Sequence, residues 1–411
     1  VQLRYQFRLC PSPGQQQTLA RAFGCARVVF NDGLRERELA RREGQPYVTD
    51  AELSRRLTVA KTAPERVWLG EVSAVILQQA LADLNTAYRN FFSSVSGKRK
   101  GPKVGPPRYR SKRDTRQTIR FTANARFKVL GNGRLRLPKI GDVCVRWSRE
   151  LPCEPSSVTV VKDSAGRYFA SFVVECGDPK PLPPADAEIG LDLGLASYAV
   201  DSQGRVIANP RFLRNHERRL RKAQKALSRK EKGSSNRARA RIRVARAHAK
   251  VSDCRRDWLH QTTTRLIREN QAVYLEDLAV KGLARTRLAK SVHDASWGTF
   301  RRMLVEKAQR YGRHVSVIGR FEPTSQVCSA CGHKDGPKPL SARSWICTPC
   351  GTTHDRDHNA AKNILALGRR ERLNACGAQI RPGAIPAPRG EAGTHPKPHQ
   401  TTARQTGISV L

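Results

Sequence analysis

Seventy-six lysines and arginines stand against 35 aspartates and glutamates in this chain, a formal charge of +41 over 411 residues. Self-repulsion on that scale works against any compact fold. It argues against an enzyme of small neutral molecules and for a polyanionic partner, which removes the penalty and adds the affinity of counterion release. Nucleic acid is the expected partner. Charge alone does not separate a ribosomal or chromatin protein from a nuclease. The hydrophobic fraction, 38%, still allows real cores, and the length suits two or three domains. No stretch approaches the roughly 20 apolar residues that span a bilayer, so no membrane partner is expected.

Eleven cysteines are scattered except for one cluster, Cys328-Ser-Ala-Cys331-Gly332 and Cys347-Thr-Pro-Cys350-Gly351. Two CxxC pairs at this separation have the spacing of a structural zinc site. The glycine after each pair suits a knuckle that needs φ > 0 while backbone amides face the sulfurs. Four thiolates close the tetrahedral shell and leave no position for water, so the expected Zn²⁺ is structural and not catalytic. No secretory signal precedes the cysteines, and Arg4 and Arg8 break the N-terminal apolar pattern. A reducing cytosol is therefore the expected compartment. The chain begins at Val1 and holds one methionine, Met303, which suggests a non-AUG start or a trimmed N-terminus.

The pattern along the chain changes several times. Residues 4–9 read as a strand. After Ser12-Pro13, Leu19, Ala22, Phe23, Ala26 and Phe30 share one helical face. Thr49 to Glu52 reads as a capping box, and Leu77, Leu81, Leu84, Tyr88 and Phe91 mark a longer helix. Residues 98–116 hold nine basic residues, one acid and three prolines, the composition of an extended connector. Within it Arg108, Tyr109, Arg110, Lys112 and Arg113 are candidate nucleic-acid contacts, because an aromatic face beside cations can stack on a base. From 118 to 176 short β-rich runs separated by turn residues suggest a small barrel. The proline-rich stretch 177–187 is the clearest boundary. Beyond a hairpin at 188–207, residues 211–250 carry sixteen Lys/Arg against Glu217 and Glu231. Leu213, Leu220 and Leu227, then Val244, Ala247 and Val251, fit an antiparallel helical pair with one buried seam. Its basic outer face, including Arg237, Arg239, Arg241 and Arg243, suits phosphates. Residues 371–411 lack periodicity and read as a disordered tail.

Three acids stand in three different contexts. In Ile189-Gly190-Leu191-Asp192-Leu193-Gly194, Asp192 shares a strand face with two glycines, which would leave open space for a metal ion and a phosphate. Glu276 ends the apolar run Ala272-Val-Tyr-Leu-Glu276, with Asp277 in position to cap the next helix. Asp355 and Asp357 open a helical pattern, His354-Asp-Arg-Asp357-His-Asn-Ala-Ala. Each has an ordinary explanation: an edge charge, a strand exit, a complement to the helix dipole. Their joint order instead suits carboxylates holding hard Mg²⁺ or Mn²⁺, a pair of which can activate water and stabilise a leaving oxygen.

GLDLGL, YLEDL, CSACG…CTPCG and HDRDxNAAxNIL occur here in the order of the TnpB signature. FRLCPSPGQQQTLARAFGCARVVFN, PRYRSKR and TSQVCSACG also look like motifs of that family. The chain thus resembles TnpB proteins, transposon-encoded RNA-guided nucleases related to type V CRISPR effectors, over about residues 4–368. The resemblance implies an α/β, multidomain chain. A RuvC-like (RNase H-like) mixed-sheet nuclease domain would occupy 188–320 and 353–370, with a zinc ribbon inserted at 321–352. A wedge β-barrel at 1–9 and 116–178 would carry a helical recognition lobe at 10–115. It implies Asp192, Glu276 and Asp357 as the catalytic carboxylates, Asp357 rather than Asp355 because the ligand stands just before the xNAA run. Its expected partners are a guide RNA from the end of the element and double-stranded target DNA beside a short adjacent motif, bound by a monomeric protein in the ribonucleoprotein. No HNH insertion is present, so one site would cut both strands in succession. A cleavage-deficient RNA-guided repressor would lack one of the acids or the C-terminal motif. A DNA transposase would join DNA without RNA.

Overall fold

The computed structural model describes residues 2–177, 180–339 and 341–375. Its contacts divide the chain into two units, 1–179 with 216–252, and 180–215 with 253–411.

The first unit begins with strand β1 (Gln2–Cys10). Ser12 then opens helix α1 (Pro13–Arg42) through a reciprocal capping box with Gln15. Thr49 caps α2 (Asp50–Ala60) by accepting from the Glu52 amide. The reciprocal half of that expected box is not made, because the Glu52 carboxylate turns to Arg55 and Arg56. After a 3₁₀ turn at Pro64–Glu71 comes α3 (Ala74–Val95). Leu81 and Leu84 of α3 lie against Gly33 of α1, where a larger residue would crowd them. Six strands come next: β2 (Gln117–Thr122), β3 (Lys128–Val129), β4 (Arg134–Leu137), β5 (Gly141–Arg146), β6 (Pro155–Lys162) and β7 (Tyr168–Glu175). They form a seven-stranded antiparallel sheet with β1 in the order β2-β6-β7-β1-β5-β4-β3. β2 and β3 remain as edges, so the expected barrel is an open sheet by its hydrogen bonding. Alternate residues of β1, β2, β6 and β7 join the helices in one core, the period of two doing the sorting.

The second unit opens with β8 (Glu188–Leu193), β9 (Ser197–Asp201) and β10 (Val206–Ala208); α4 (Phe212–Ser228) and α5 (Ser235–Glu269) follow, and of these helices only the residues up to 215 and from 253 belong to this unit. It continues with β11 (Ala272–Glu276), α6 (Val280–Leu283), α7 (Ala289–Ala295), α8 (Trp297–Tyr311) and β12 (His314–Ile318). A small ribbon of β13 (Ser344–Ile346) and β14 (Thr353–Asp355) leads into α9 (Arg356–Ala375). The chain is helical through 371–375, which the sequence pattern assigns to the tail; residues 376–411 lie outside the described residues. The five-stranded sheet runs β10-β9-β8-β11-β12, antiparallel on the β10 side and parallel from β8 to β12. Residues 216–252, which by sequence belong to the nuclease segment, pack with the first unit. The expected seam there is only partly closed: Leu220, Ala240 and Val251 are buried, while Leu213, Leu227, Val244 and Ala247 are half-buried.

A repeated device turns one hairpin in each unit. Asp163 accepts from the Ala165 and Arg167 amides and from Arg167 Nε. Asp201 does the same for Gln203 and Arg205. DSAGR and DSQGR are thus one turn chemistry used twice.

The five-stranded sheet has two unlike faces. Val273 and Leu275 pack with Leu259, Leu266, Phe300 and Leu304 of α5 and α8. Ala272, Tyr274 and Ile318 on the other face pack with Ile364 of α9. That second contact is unusually close. A Cβ on Gly190 would lie 2.6 Å from the Leu365 amide and closer still to the Ala361 carbonyl. A Cβ on Gly368 would lie 2.9 Å or less from three atoms of the Tyr274 ring. The glycine on the strand admits the helix, and the glycine on the helix admits the tyrosine. Gly190→Ala should therefore destabilise the second unit by on the order of 3 kcal/mol in urea unfolding. Gly298→Ala, with nothing within 4 Å, should change it by less than about 1 kcal/mol. An unchanged midpoint for Gly190→Ala would contradict this packing.

Candidate active site and metal centre

α9 runs antiparallel to β8, which sets the positions of the acids. At one end, Glu188 accepts from Arg369 and Arg372, each at 2.6 Å. In the middle, Ala361 and Leu365 lie on Gly190. Two strand residues from Gly190 to Asp192 advance about 6.6 Å, and four helical residues from Ala361 back to Asp357 advance about 6 Å. Asp357 therefore comes level with Asp192. In the parallel pairing of β8 and β11, Tyr274 is opposite Gly190 and Leu275 opposite Leu191. The next step brings Glu276 opposite Asp192, on the same face. The open space that the sequence suggests beside Asp192 is only half real, because at Gly190 it is filled by α9 backbone.

The electrostatics come from that placement. Burial first, then the charges of Glu276 and Asp357, raise the Asp192 carboxyl to about 7, against a smaller opposing effect of Arg356. Burial and the neighbouring Asp277 raise Glu276 as well. Asp277 is engaged by Arg301 and Arg320 at 3.0 and 2.6 Å. Asp355 accepts from the His358 amide at 2.8 Å and so closes the first turn of α9. Arg343, unremarkable in an arginine-rich sequence, places Nη1 3.5 Å from Asp357 Oδ2.

The four cysteines meet. Their sulfurs all lie within 4.8 Å of one another, with Cys328 to Cys350 at 3.7 Å and Cys331 to Cys347 at 3.6 Å. Tetrahedral Zn–S bonds imply sulfurs about 3.8 Å apart, so the set fits that ion. Among the described residues the three acids do not form a cluster that tight. Each knuckle has the same hydrogen bonds: Cys328 and Cys347 amides donate to the carbonyls of His333 and Thr352, and the amides of Gly332 and Gly351 donate back to the cysteine carbonyls. The glycines have φ of 77° and 66°. Contact with Thr352 brings the Cys350 thiol down to about 6, and burial pushes that of Cys347 up to about 12.

Sequence reasoning passes over the residues that join this centre to α9. Asn359 Oδ1 accepts from the Ser329 amide at 2.9 Å, between two cysteines, and its Nδ2 donates to Val327 at 2.8 Å. Asn363 Nδ2 donates to the carbonyls of Thr324 and Val327, both at 2.7 Å. Both asparagines are buried. His354 sits 3.0 Å from Cys328 Sγ and packs on Trp345. The available signal is two asparagines four apart on one helical face, just after the acids.

The basic candidates divide. Arg108, Lys112, Arg113, Arg239, Arg241 and Arg243 are exposed. Arg110 instead lies 3.7 Å over the Phe30 ring and pairs with Asp83, while its backbone is clasped on both sides by Asn31. Arg237 donates to the carbonyls of Leu227 and Lys230, finishing the C-terminal end of α4. Tyr109 is 49% exposed and donates its hydroxyl proton to Glu38.

Family models match three stretches: one described as a probable transposase, OrfB of IS605, over residues 171–287; the Cas12f1-like TNB domain over 297–364; and a helix-turn-helix domain over 1–46. In this structure the last range is β1 and α1 with the loop beyond. A Streptomyces pristinaespiralis protein named as an RNA-guided DNA endonuclease is 42% identical over 98% of both chains. This chain belongs to the TnpB family. RNA-guided DNA endonuclease InsQ of Escherichia coli K12 is 31% identical over 92% of this TnpB chain and 95% of its own. Among solved structures, the mini-RNA-guided endonuclease CRISPR-Cas_phi3 aligns over 90% of this chain and 92% of its own, with 10% identity and a TM-score of 0.48.

The raised proton affinity of Asp192 has a thermodynamic consequence. The folded state holds its proton to about pH 7, whereas an unfolded aspartate releases it near 3.9. Stability of the protein in buffer free of added divalent metal, its cysteine site left intact, should therefore fall as pH rises from about 4 to 7. Asp192→Asn removes that loss, at most about 4 kcal/mol. Thermal unfolding should show the two proteins alike near pH 4 and the asparagine variant more stable near pH 7. A difference independent of pH would contradict the charge crowding.

Proposed function

We propose that this chain is an RNA-guided DNA endonuclease encoded by an insertion sequence, cutting both strands of its target at one RuvC-like site. The observation that carries the reading is the convergence of Asp192, Glu276 and Asp357 on one sheet face, strongly enough to lift the Asp192 carboxyl to about 7, in a chain of charge +41. A protein built to bind polyanions gains nothing in affinity from three crowded carboxylates. Relatives named as RNA-guided DNA endonucleases, 42% and 31% identical over 98% and 92% of this chain, support the same reading. The strand order, three antiparallel strands continued by two parallel ones, supports an RNase H-like nuclease domain. The seven-stranded sheet with helices between its first two strands supports the wedge and recognition lobe.

The three carboxylates are hard oxygen donors and fit Mg²⁺ or Mn²⁺. Such ions supply water activation and stabilisation of the leaving 3′-oxygen. The chain's own residues do the remainder. Gly190 and Gly368 admit α9, Asp355 fixes its first turn, and Asn359 and Asn363 tie it to the cysteine knuckle. Arg343, 3.5 Å from Asp357, offers a cation to the scissile phosphate. Cys328, Cys331, Cys347 and Cys350 hold a structural Zn²⁺. The exposed members of the basic set, Arg239, Arg241 and Arg243 among them, track the phosphates of guide and target. The protein acts as a monomer with its guide, in a reducing prokaryotic cytosol.

Recognition by base pairing and backbone contacts does not use the acids. Asp192→Ala, Glu276→Ala and Asp357→Ala should each abolish guided plasmid cleavage and leave guide-dependent DNA binding within about threefold of the parent, on the order of 1 kcal/mol or less. Asp355→Ala should keep most activity, losing only a helix cap. Cleavage and gel-shift assays with one guide and target check this. A parent that binds guided DNA without cutting it would make the chain a repressor instead.

A further inference from the structure

The apolar stripe of α3 outruns the core beneath it. Leu77, Leu81 and Leu84 are buried, but Phe92 is 51% exposed one turn beyond Tyr88. Tyr47, in the loop after α1, is also 51% exposed. Its ring stands edge-on to Tyr88 and Phe92, with centroids 6.2 and 6.4 Å away, and those two stack at 5.8 Å. Scattered exposed apolar residues need no explanation, but a contiguous cluster does.

This cluster is held ready. Arg37 lies beneath it, 3% exposed, with its guanidinium 4.6 Å from the Tyr47 ring centre and 5.0 Å from that of Tyr88. The Val48 carbonyl at 3.0 Å and Asp50 at 2.8 Å fix that guanidinium. Ordering the rings in advance lowers the entropy cost of binding to their outer faces. The surroundings are cationic. Tyr88 feels Arg41 as well as Arg37, and the nine basic residues of 98–116 begin shortly after α3 ends. Of the acids that these rings feel, Asp50 is paired by Arg37, while Glu38 accepts from the Tyr109 hydroxyl at 2.6 Å and keeps its charge. An apolar protein face would meet uncompensated cations here; a nucleotide brings a flat apolar base and a phosphate together.

We propose that Tyr47, Tyr88 and Phe92 form a stacking platform for unpaired RNA nucleotides, with the adjoining phosphates directed to Arg41 and the basic connector. Among the described residues the hydroxyls of Tyr47 and Tyr88 take no hydrogen-bond partner, which leaves both able to bond a 2′-hydroxyl. That chemistry separates RNA from DNA. The inference deepens the guide-RNA binding proposed above and rests on it.

The test uses the full chain freed of its own RNA, a short single-stranded RNA, the same sequence as DNA, and an RNA hairpin whose bases are paired. Tyr47→Leu and Phe92→Leu keep apolar bulk at exposed positions and remove the aromatic faces. Each should weaken single-stranded RNA binding on the order of tenfold, with smaller effects on DNA and none on the hairpin. Single-stranded RNA carrying 4-thiouridine should crosslink to Tyr47 or Phe92 in the unsubstituted protein. Binding of both variants within about twofold of the parent, or crosslinks only elsewhere, overturns the platform. DNA bound and weakened as strongly as RNA overturns the RNA assignment in favour of a displaced DNA strand. If the hairpin weakens equally, the substitutions have disturbed the fold, and the crosslink map decides alone. No cleavage is read, so a failure here is distinct from a failure of the nuclease assignment, which the acid substitutions report.

Discussion

The backbone of α9 occupies the place where a side chain of β8 would otherwise be. That contact, Gly190 beneath Ala361 and Leu365, is what the candidate site depends on. An ordinary helix-on-sheet spacing would leave a layer of side chains between them and lift Asp357 away from Asp192. Close approach instead converts two regular repeats, the strand's two residues and the helix's turn, into a fixed juxtaposition of carboxylates. Gly368 over Tyr274 and the Arg369 and Arg372 pairs to Glu188 hold the same register further along. The site is thus a consequence of secondary-structure geometry rather than of loop conformation, which is how a constellation stays within the tolerance that chemistry needs.

The cysteine knuckle extends this logic. Hydrogen bonds from two buried asparagines tie it to the first turns of α9, within six residues of Asp357. Those bonds run to backbone groups that the knuckle itself orders, so closure of the thiolate site and orientation of the helix support one another. A small ribbon has too little core to hold its own shape. Closed by a metal, the knuckle would give α9 a rigid neighbour at modest chain length.

Much of this is legible in the sequence, and the failures have a common cause. The cysteine spacing, the capping serine and threonine, and the order of the three acids are local signals, and residues near in sequence determine them. Gly190 reads as space for a ligand because the helix that fills it comes from about residue 361, far along the chain. Arg237 reads as a phosphate contact because its role at the end of α4 depends on how the chain reverses between α4 and α5. Arg110 fits the same description, its guanidinium spent on Phe30 and Asp83. Tyr88 reads as a continuation of the buried stripe of α3, yet it packs only on the margin of the core and stays half-buried. Periodicity shows which face of a helix is apolar and not how far the neighbouring elements reach.

Three acids from three elements, proposed as one centre, would have to serve both DNA strands. A strand-resolved time course of guided cleavage, with each strand end-labelled separately, tests this most directly. One centre cutting in succession predicts a nicked intermediate that precedes the linear product. It also predicts that Asp192→Ala, Glu276→Ala and Asp357→Ala each remove the cuts in both strands together. A variant at any of the three that stops one strand's cleavage and leaves the other at the parental rate would mean that the strands are cut at different centres, and would contradict the account.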